Sequence, residues 1–272
     1  GAIIVTDEVS VADATTIRAL SALDADPTYS LSDTAANLAA AGDVGTDAVN
    51  IEATDAATFA EGTTILAFGA TTLVMNISQA DIANHADATA NAATNVTITG
   101  ALTHAEAGTV LANTNSGTTK LASVTGTSAE LAALTVGDAI ITAVTGSNAA
   151  TAEEITTILG FTTPSAYSLT DSAANLVALP SSTLNGATDL TSNTAATVDQ
   201  ATVLDAATNS GTTTFGITDA AANIVGASDT LLGLDSDGKI EISDTNITAA
   251  VATSLTVQDG AADGYTIHDG GA

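Results

Sequence analysis

Short apolar runs rich in β-branched residues recur along the chain, and each is bounded by Gly, Asn or Asp. This pattern predicts strands, because β-branched side chains pack well on a pleated surface and turn residues end it. The first series of runs covers residues 3–6, 49–52, 96–99, 139–142, 188–191 and 239–243. The second series starts at Tyr29, Met75, Ala122, Tyr167, Phe215 and Tyr265. Members of the second series start 45 to 50 residues apart, which indicates an internal repeat.

Helix-start signals recur with the same period. A hydroxyl residue is followed three positions later by an acid, which is the capping-box pattern of a helix N-terminus. The pairs are Ser10 with Asp13, Thr58 with Glu61, Thr103 with Glu106 and Thr151 with Glu154, and a fifth copy uses Thr197 with Gln200. Each pair predicts a helix of about three turns, such as 12–23 and 199–207.

A second, shorter helix is predicted after the second series of strands. Asp-x-Ala-Ala-Asn recurs at 33–37, 171–175 and 219–223, and it indicates an Asp N-cap followed by an Ala-rich turn. The recurring amides are Asn37, Asn175 and Asn223. They have two interpretations, either an array of ligand-binding side chains or, as we favour, a ladder that satisfies backbone groups of the turns.

These elements predict an α/β fold, a parallel strand–helix solenoid of about six 47-residue repeats and about twelve coils. The repeats span approximately 3–48, 49–94, 95–137, 138–186, 187–237 and 238–272 of one solenoid covering 1–272. The predicted inward positions are Ile4, Ile51, Ile98, Ile141, Leu190 and Ile240 in the first series, and Leu31, Ile77, Val124, Leu169, Ile217 and Ile267 in the second. Coils of 26–28 and 17–23 residues should then alternate. An all-β solenoid is the alternative. The pattern shows no terminal caps, so we expect an excised segment or ends that stack on other chains.

Composition restricts the function more than the fold. Aromatic residues are only 3% of 272, and Trp and Cys are absent, which suits a thin aliphatic core. The formal charge of −28 argues against nucleic acid and anionic membranes as partners. Such a chain repels itself unless cations screen it, which favours a cation-rich, extracellular medium. No apolar run is long enough to predict membrane insertion.

The phrases at 201–219 and 167–171 resemble repeat tracts of large secreted bacterial proteins, namely the calcium-associated adhesins and the surface-layer or fibril proteins of cyanobacteria and marine bacteria. The resemblance covers most of the chain. It implies a cell-surface location and a role in coating, adhesion or filament formation. The Gly-Gly-x-Gly-x-Asp nonapeptides of the repeats-in-toxin family are absent from this sequence.

One carboxylate cluster is a candidate calcium site, because calcium takes six to eight oxygen ligands. Its members are Asp235, Asp237, Glu241 and Asp244, around a Gly turn. Motifs of nucleotide-binding or nucleophilic enzymes are absent from the sequence. The sequence therefore predicts a non-catalytic structural or adhesive segment that associates end to end or continues into neighbouring repeats. A calcium- or glycan-binding module is the alternative, and a polysaccharide-active enzyme ranks below it.

Overall fold

The fold is known from a computed structural model of the chain. It describes residues 4–20, 27–70, 72–84, 88–162, 164, 166–232, 240–244, 251, 254 and 266–267.

The described strands are β1 (Ile4–Val9), β2 (Thr28–Asp33), β3 (Ile51–Ala53), β4 (Val74–Ser78), β5 (Asn95–Thr103), β6 (Thr119–Gly126), β7 (Ile140–Ile141), β8 (Val144–Gly146), β9 (Leu169–Asp171), β10 (Leu190–Ser192), β11 (Thr213–Thr214), β12 (Thr218–Asp219), β13 (Glu241–Ile242) and β14 (Thr266–Ile267). The α-helices are α1 (Val11–Leu20), α2 (Ala35–Ala39), α3 (Asp43–Thr46), α4 (Phe59–Ala67), α5 (Ala88–Ala92), α6 (His104–Leu111), α7 (Ser128–Ala132), α8 (Ala152–Leu159), α9 (Ala173–Val177), α10 (Ser181–Gly186), α11 (Val198–Asp205), α12 (Ala221–Gly226) and α13 (Asp229–Leu232). A 3-10 helix spans Gln79–Asn84.

The chain packs as two compact units. Unit 1 comprises Gly1–Gly126, Ala133–Val144 and Phe161–Thr163, and unit 2 comprises Thr127–Ala132, Thr145–Gly160 and Pro164–Ala272. In unit 1, β1, β2 and β3 form one sheet, and β4, β5, β6 and β7 lie side by side in another. In unit 2, β9, β10 and β11 form a third sheet, and β12, β13 and β14 a fourth. Strand pairing in all four sheets is parallel. The α/β prediction is therefore confirmed, and the all-β alternative is wrong.

Strand neighbours in these sheets lie 20 to 25 residues apart in the sequence. We call the stretch from one strand to its neighbour a coil. The alternation of long and short coils was wrong, because Ile98 pairs with Leu121 and not with Val124. An irregularity at Gly100, whose φ is +94°, lets β5 continue to Leu102, and Leu102 pairs with Val124. Glycine accepts this φ without steric cost.

Most predicted inward positions are buried. Ile51, Ile98, Ile141, Leu190, Ile240, Leu31, Ile77, Val124, Leu169 and Ile217 are at most 3% exposed. Ile4 is 69% exposed, so its prediction was wrong. Ile4 lies six residues before Ser10, just as the exposed Glu52 lies six residues before the N-cap Thr58. Ile4 therefore occupies an outward position of its strand. The side chain of Ile267 lies outside the described part of the structure.

Four of the five predicted capping boxes are complete, whereas in the fifth the N–H of Asp13 donates to Ser10 Oγ at 3.1 Å and Ser10 Oγ donates to the Asp13 carboxylate at 2.7 Å. Complete boxes join Thr58 with Glu61, Thr103 with Glu106, Thr151 with Glu154 and Thr197 with Gln200. The two positions four and seven residues after each of these N-caps are buried, as Ile155 and Ile158 are in α8. The box therefore sets which face of each long helix packs on the sheet.

The predicted helix bounds were close. Helix α11 starts one residue before the predicted Asp199 and ends at Asp205. Helix α1 is described from Val11 to Leu20, and the last predicted residues, 21–23, lie outside the described residues.

Candidate functional site: the hydrogen-bond ladder between coils

Three aspartates lie two residues before the first residue of a short helix. The prediction that they are N-caps was wrong, because Thr34 and Ser172 hold that position and accept from the backbone N–H groups of Asn37 and Asn175 at 3.3 Å. Helix α12 starts after Ala220, whose methyl side chain cannot accept a capping hydrogen bond. The aspartates lie one position earlier. We call Asp33, Asp171 and Asp219 the clamp aspartates.

Oδ1 of each clamp aspartate binds two donors of its own coil. The first is the backbone N–H of the next residue, at 2.8, 2.7 and 2.7 Å in Thr34, Ser172 and Ala220. The second is a side-chain amide four residues later, at 2.8, 2.9 and 2.8 Å in Asn37, Asn175 and Asn223. These three amides are exposed, and each orients a carboxylate. The favoured prediction of a ladder on turn backbone groups was wrong, because each amide nitrogen donates to a carboxylate and not to a turn backbone group.

Oδ2 of each clamp aspartate reaches the preceding coil. It accepts the first N–H of the long helix there, from Val11 at 3.0 Å to Asp33, from Ala152 at 3.0 Å to Asp171, and from Val198 at 2.9 Å to Asp219. That N–H has no partner within its own helix, and the positive helix N-terminus attracts an anion. Each clamp aspartate thus joins the N-termini of two helices in successive coils.

This arrangement favours the charged carboxylate. The amide of Asn37 and the N–H groups of Val11 and Thr34 hold the pKa of Asp33 below its usual range. Burial acts to raise the pKa of Asp171 and Asp219, but the hydrogen bonds outweigh it and both pKa values are lowered. The clamp aspartates therefore remain ionised well into the acid range.

A second set of side chains accepts hydrogen bonds from the N-termini of the short helices. The first N–H of α2, α7, α9 and α12 donates to a side-chain oxygen of the following coil. The pairs are Ala35 with Asp55 at 2.6 Å, Ser128 with Asn148 at 2.8 Å, Ala173 with Thr194 at 3.0 Å, and Ala221 with Asp244 at 2.7 Å. We call Asp55, Asn148, Thr194 and Asp244 the rung acceptors. The clamp aspartates and rung acceptors together form the ladder.

Two of the predicted calcium ligands can be placed. Asp244 is a rung acceptor, and Glu241 accepts from the hydroxyl of Thr218 at 3.2 Å. Asp235 and Asp237 lie outside the described residues. Within the part of the chain that the structure describes, no group of three or more His, Asp or Glu side chains is arranged to hold a metal ion. Calcium binding stays a prediction.

Two copies of Thr-Asn-Ser-Gly-Thr-Thr, at 114–119 and 208–213, form loops in which the asparagine makes the same two hydrogen bonds. We call them the unit 1 loop and the unit 2 loop. In the unit 1 loop, Asn115 Nδ2 donates to Thr94 O at 3.3 Å and Asn115 Oδ1 accepts from Thr119 at 2.7 Å. In the unit 2 loop, Asn209 Nδ2 donates to Thr188 O at 3.0 Å and Asn209 Oδ1 accepts from Thr213 at 2.9 Å.

Two tyrosines of the second series close the turn that follows them. Tyr29 donates its hydroxyl to Val44 O at 2.9 Å, and Tyr167 donates to Thr183 O at 2.7 Å. Burial raises the pKa of both hydroxyls. The third clear copy has Phe215, which is 1% exposed and fills the same place without a hydroxyl. These tyrosines serve packing and turn geometry.

Surface clefts in both units are shallow. One of about 460 Å³ in unit 2 is lined by Glu153, Thr156, Asp171 and Asn175, with Asp171 already bound by its three donors. Another of about 350 Å³ in unit 1 includes His104, beside apolar residues of α6 and the stretch 133–135. Their described polar groups mainly belong to helix N-termini.

Arg18 forms an ion pair with Asp47 at 2.7 Å in unit 1. None of the described helices combines the length and apolar character required to cross a bilayer.

Comparison of the chain with family models, curated proteins and solved structures finds no match.

Proposed function

We propose that the chain is a non-catalytic structural or adhesive segment of an extracellular surface-coating or fibre-forming protein, built as a strand–helix solenoid. The observation that carries this proposal is the ladder. Seven helix N-termini among the described residues donate their first N–H to a side chain 19 to 23 residues later in the sequence. The polar side chains best placed for chemistry are engaged in joining coils.

The strand pairing supports the same proposal. Each described sheet places strands in their order along the chain, and neighbours are 20 to 25 residues apart. A chain that stacks each coil on the preceding one buries a continuous core without large side chains. This accounts for a core of Ala, Val, Ile and Leu with only seven aromatic residues.

The net charge supports an extracellular setting. At −28, stacked coils repel one another unless salt or divalent cations screen the repulsion, and a cation-rich external medium would favour their stacking. The partners that fit are neighbouring repeats of a longer chain or other copies of this one. Calcium would act in this proposal as a screening or bridging cation at carboxylate pairs.

The experiment is negative-stain electron microscopy in millimolar calcium and in chelator, together with an assay for sugar released from acidic and neutral polysaccharides. We expect assemblies of uniform width that extend or stiffen with calcium, and no released sugar. Product release by substoichiometric protein would overturn the non-catalytic role. Isolated particles in both conditions would remove self-assembly from the proposal and leave a spacer within a longer chain.

A further inference from the structure

The dipeptide Asn185-Gly186 ends helix α10, and the sequence contains no other Asn-Gly pair. Both residues are exposed. In an Asn-Gly pair the backbone nitrogen of the glycine can reach the side-chain amide carbon Cγ of the asparagine, because glycine has no side chain to obstruct the approach. A bond between these two atoms closes a five-membered ring. The pair is therefore a candidate for spontaneous covalent modification.

The packing of Tyr167 explains why glycine stands beside this asparagine. A Cβ atom at Gly186 would lie 2.7 Å from the hydroxyl oxygen of Tyr167. That hydroxyl donates to Thr183 O at 2.7 Å and closes the turn. The turn thus keeps a glycine for packing, and with it a reactive pair.

The next coil supplies a donor at the oxygen on which charge develops. The backbone N–H of Thr208 donates to Asn185 Oδ1 at 2.9 Å. Attack on Cγ turns this amide oxygen into a tetrahedral oxyanion, and a hydrogen bond already directed at that oxygen stabilises the charge. Because Asn185 is exposed, the departing ammonia can pass into solvent.

The position at a helix end gives the pair the freedom that ring closure requires. Gly186 is the last residue of the six-residue α10, and Ala187 after it is extended, with φ of −71° and ψ of 154°. Terminal turns of short helices open more readily than helix interiors. Such an opening releases the backbone nitrogen of Gly186 and lets Asn185 turn its amide carbon toward it.

Unit 1 contains the same arrangement without the glycine. Asn91 is the penultimate residue of α5, as Asn185 is of α10, and Asn91 Oδ1 accepts from the N–H of Thr114 at 3.0 Å. The residue after Asn91 is Ala92. Its methyl group hinders the approach of the backbone nitrogen, so the comparison of the two asparagines isolates the effect of the glycine.

We infer that Asn185 is a site of spontaneous deamidation in the folded chain. The backbone nitrogen of Gly186 forms a bond to Asn185 Cγ, the Cγ–Nδ2 bond breaks, and ammonia leaves with the proton of the attacking N–H. Water then opens the resulting succinimide at either of its two carbonyl carbons. One product is aspartate, and the other is isoaspartate, in which the main chain runs through the former side chain.

Either product changes the contact between two successive coils. Both add one negative charge to an acidic chain. Aspartate keeps an acceptor for the N–H of Thr208, whereas isoaspartate lengthens the main chain by one methylene group and moves the oxygen that Thr208 binds. Hydrolysis does not return the amide, so this contact changes in one direction with the age of the molecule. The property is separate from the proposed structural function.

The test is mass spectrometry of peptides from the full chain, incubated folded at mildly alkaline pH in heavy-oxygen water, so that solvent oxygen marks each reacted asparagine. Asn91 in the same sample is the internal control. Gly186→Ala is made in a Tyr167→Phe background, because its methyl group would otherwise overlap the Tyr167 hydroxyl. Tyr167→Phe alone is the matched control, since it keeps the Asn-Gly pair.

We expect the label to enter at Asn185 about tenfold faster, or more, than at Asn91, because glycine leaves the attacking nitrogen unhindered. Tyr167→Phe alone should keep this excess, and the double variant should lose it. Raising the pH should accelerate labelling at Asn185, since the attacking nitrogen must lose its proton. If the double variant fails to fold by circular dichroism, the comparison of Asn185 with Asn91 in the wild type decides the test.

Equal labelling of Asn185 and Asn91 in the folded wild type, or labelling of Asn185 only after denaturant unfolds the chain, overturns the inference. An excess that persists in the folded double variant also overturns it, because the glycine would not be its cause. These results do not bear on self-assembly or on released sugar, which test the proposed function.

Discussion

The unit 1 loop and the unit 2 loop have the same six residues and lie 94 positions apart, yet their surroundings differ at one acceptor. In unit 1 the N–H of Thr118 donates to Asn95 Oδ1 at 2.8 Å, and in unit 2 the N–H of Thr212 donates to Asp189 Oδ1, also at 2.8 Å. The loop sequence thus determines the geometry, whereas the preceding coil determines whether the acceptor is neutral or charged.

The charged acceptor has additional donors. Asp189 also accepts from the hydroxyl of Thr212 at 2.8 Å and from Ser168 at 3.3 Å. The two donors on Thr212 hold the pKa of Asp189 below its usual range. Acid should therefore weaken the hydrogen bond from Thr212 to Asp189 in the unit 2 loop, whereas the bond from Thr118 to Asn95 in the unit 1 loop should not change.

The largest expected effect comes from the glycine that both loops share. A side chain at Gly117 would overlap Thr94 O and Asn95 Oδ1, and one at Gly211 would overlap Thr188 O and Asp189 Oδ1. We expect Gly117→Ala and Gly211→Ala each to lower the free energy of unfolding by about 1–3 kcal/mol, as overpacking does. Denaturant titration measures it. Gly108→Ala, in α6 with no atom near its added methyl, is the control and should be neutral or stabilising. Equal stability of all three variants would show that the loops do not pack against the preceding coil.

Next in size is the loop asparagine. Asn115→Ala or Asn209→Ala removes a side chain that both donates and accepts, leaving Thr94 O or Thr188 O without that donor. The expected loss is about 1–3 kcal/mol in unit 1, the cost of an unsatisfied partly buried group, and it is smaller in unit 2, where Thr188 O keeps the N–H of Gly211 at 2.7 Å. Ser116→Ala and Ser210→Ala, in the next position of each loop, serve as controls. A loss in one unit alone would break the equivalence of the two loops.

The smallest expected effect is a difference between the two loops in their response to pH. Because the pKa of folded Asp189 is lowered, its hydrogen bonds contribute fully above the unfolded value of about 3.9 and are lost as pH falls through the folded pKa. We expect the amide resonance of Thr212 to titrate below pH of about 3.9 and that of Thr118 to stay flat in an NMR pH series. Asp189→Asn should abolish the pH dependence of the Thr212 amide resonance, and Asn95→Asp should make the Thr118 amide resonance depend on pH. Parallel titration of both amides in the wild type would contradict the assignment.

Local signals made the long helices predictable. The hydroxyl and the acid of a capping box are three residues apart, so a pair such as Thr151 and Glu154 fixes both the start and the buried face of a helix. The same signal at Thr127 and Glu130, where the N–H of Thr127 donates to Glu130 at 2.8 Å and the N–H of Glu130 to Thr127 Oγ1 at 3.2 Å, marks the start of α7 and could have predicted it.

The ladder was not predictable from the sequence, for two physical reasons. The clamp aspartates bind a helix 19 to 22 residues earlier, and no local pattern marks that partner. The rung acceptors are Asp, Asn and Thr, which share an acceptor oxygen but no residue identity. In addition, Asp33 stands beside Thr34, and both residue types are good N-caps, so local preference could not choose between them.

We propose that the coils are equivalent and stacked, and a pair of deletions can test this. Removing residues 151–196 joins Ala150 to Thr197, and it keeps an inward residue before an N-cap, since Ala150 and Ala196 are both buried and pair with Leu169 and Ile217. Removing 151–185 breaks this register. Circular dichroism with thermal melting and small-angle X-ray scattering of both deletions is the measurement. We expect that the first deletion variant still unfolds cooperatively and is shorter by about 10 Å, two strand spacings, whereas the second loses its structure. Equal damage from the two deletions would contradict it.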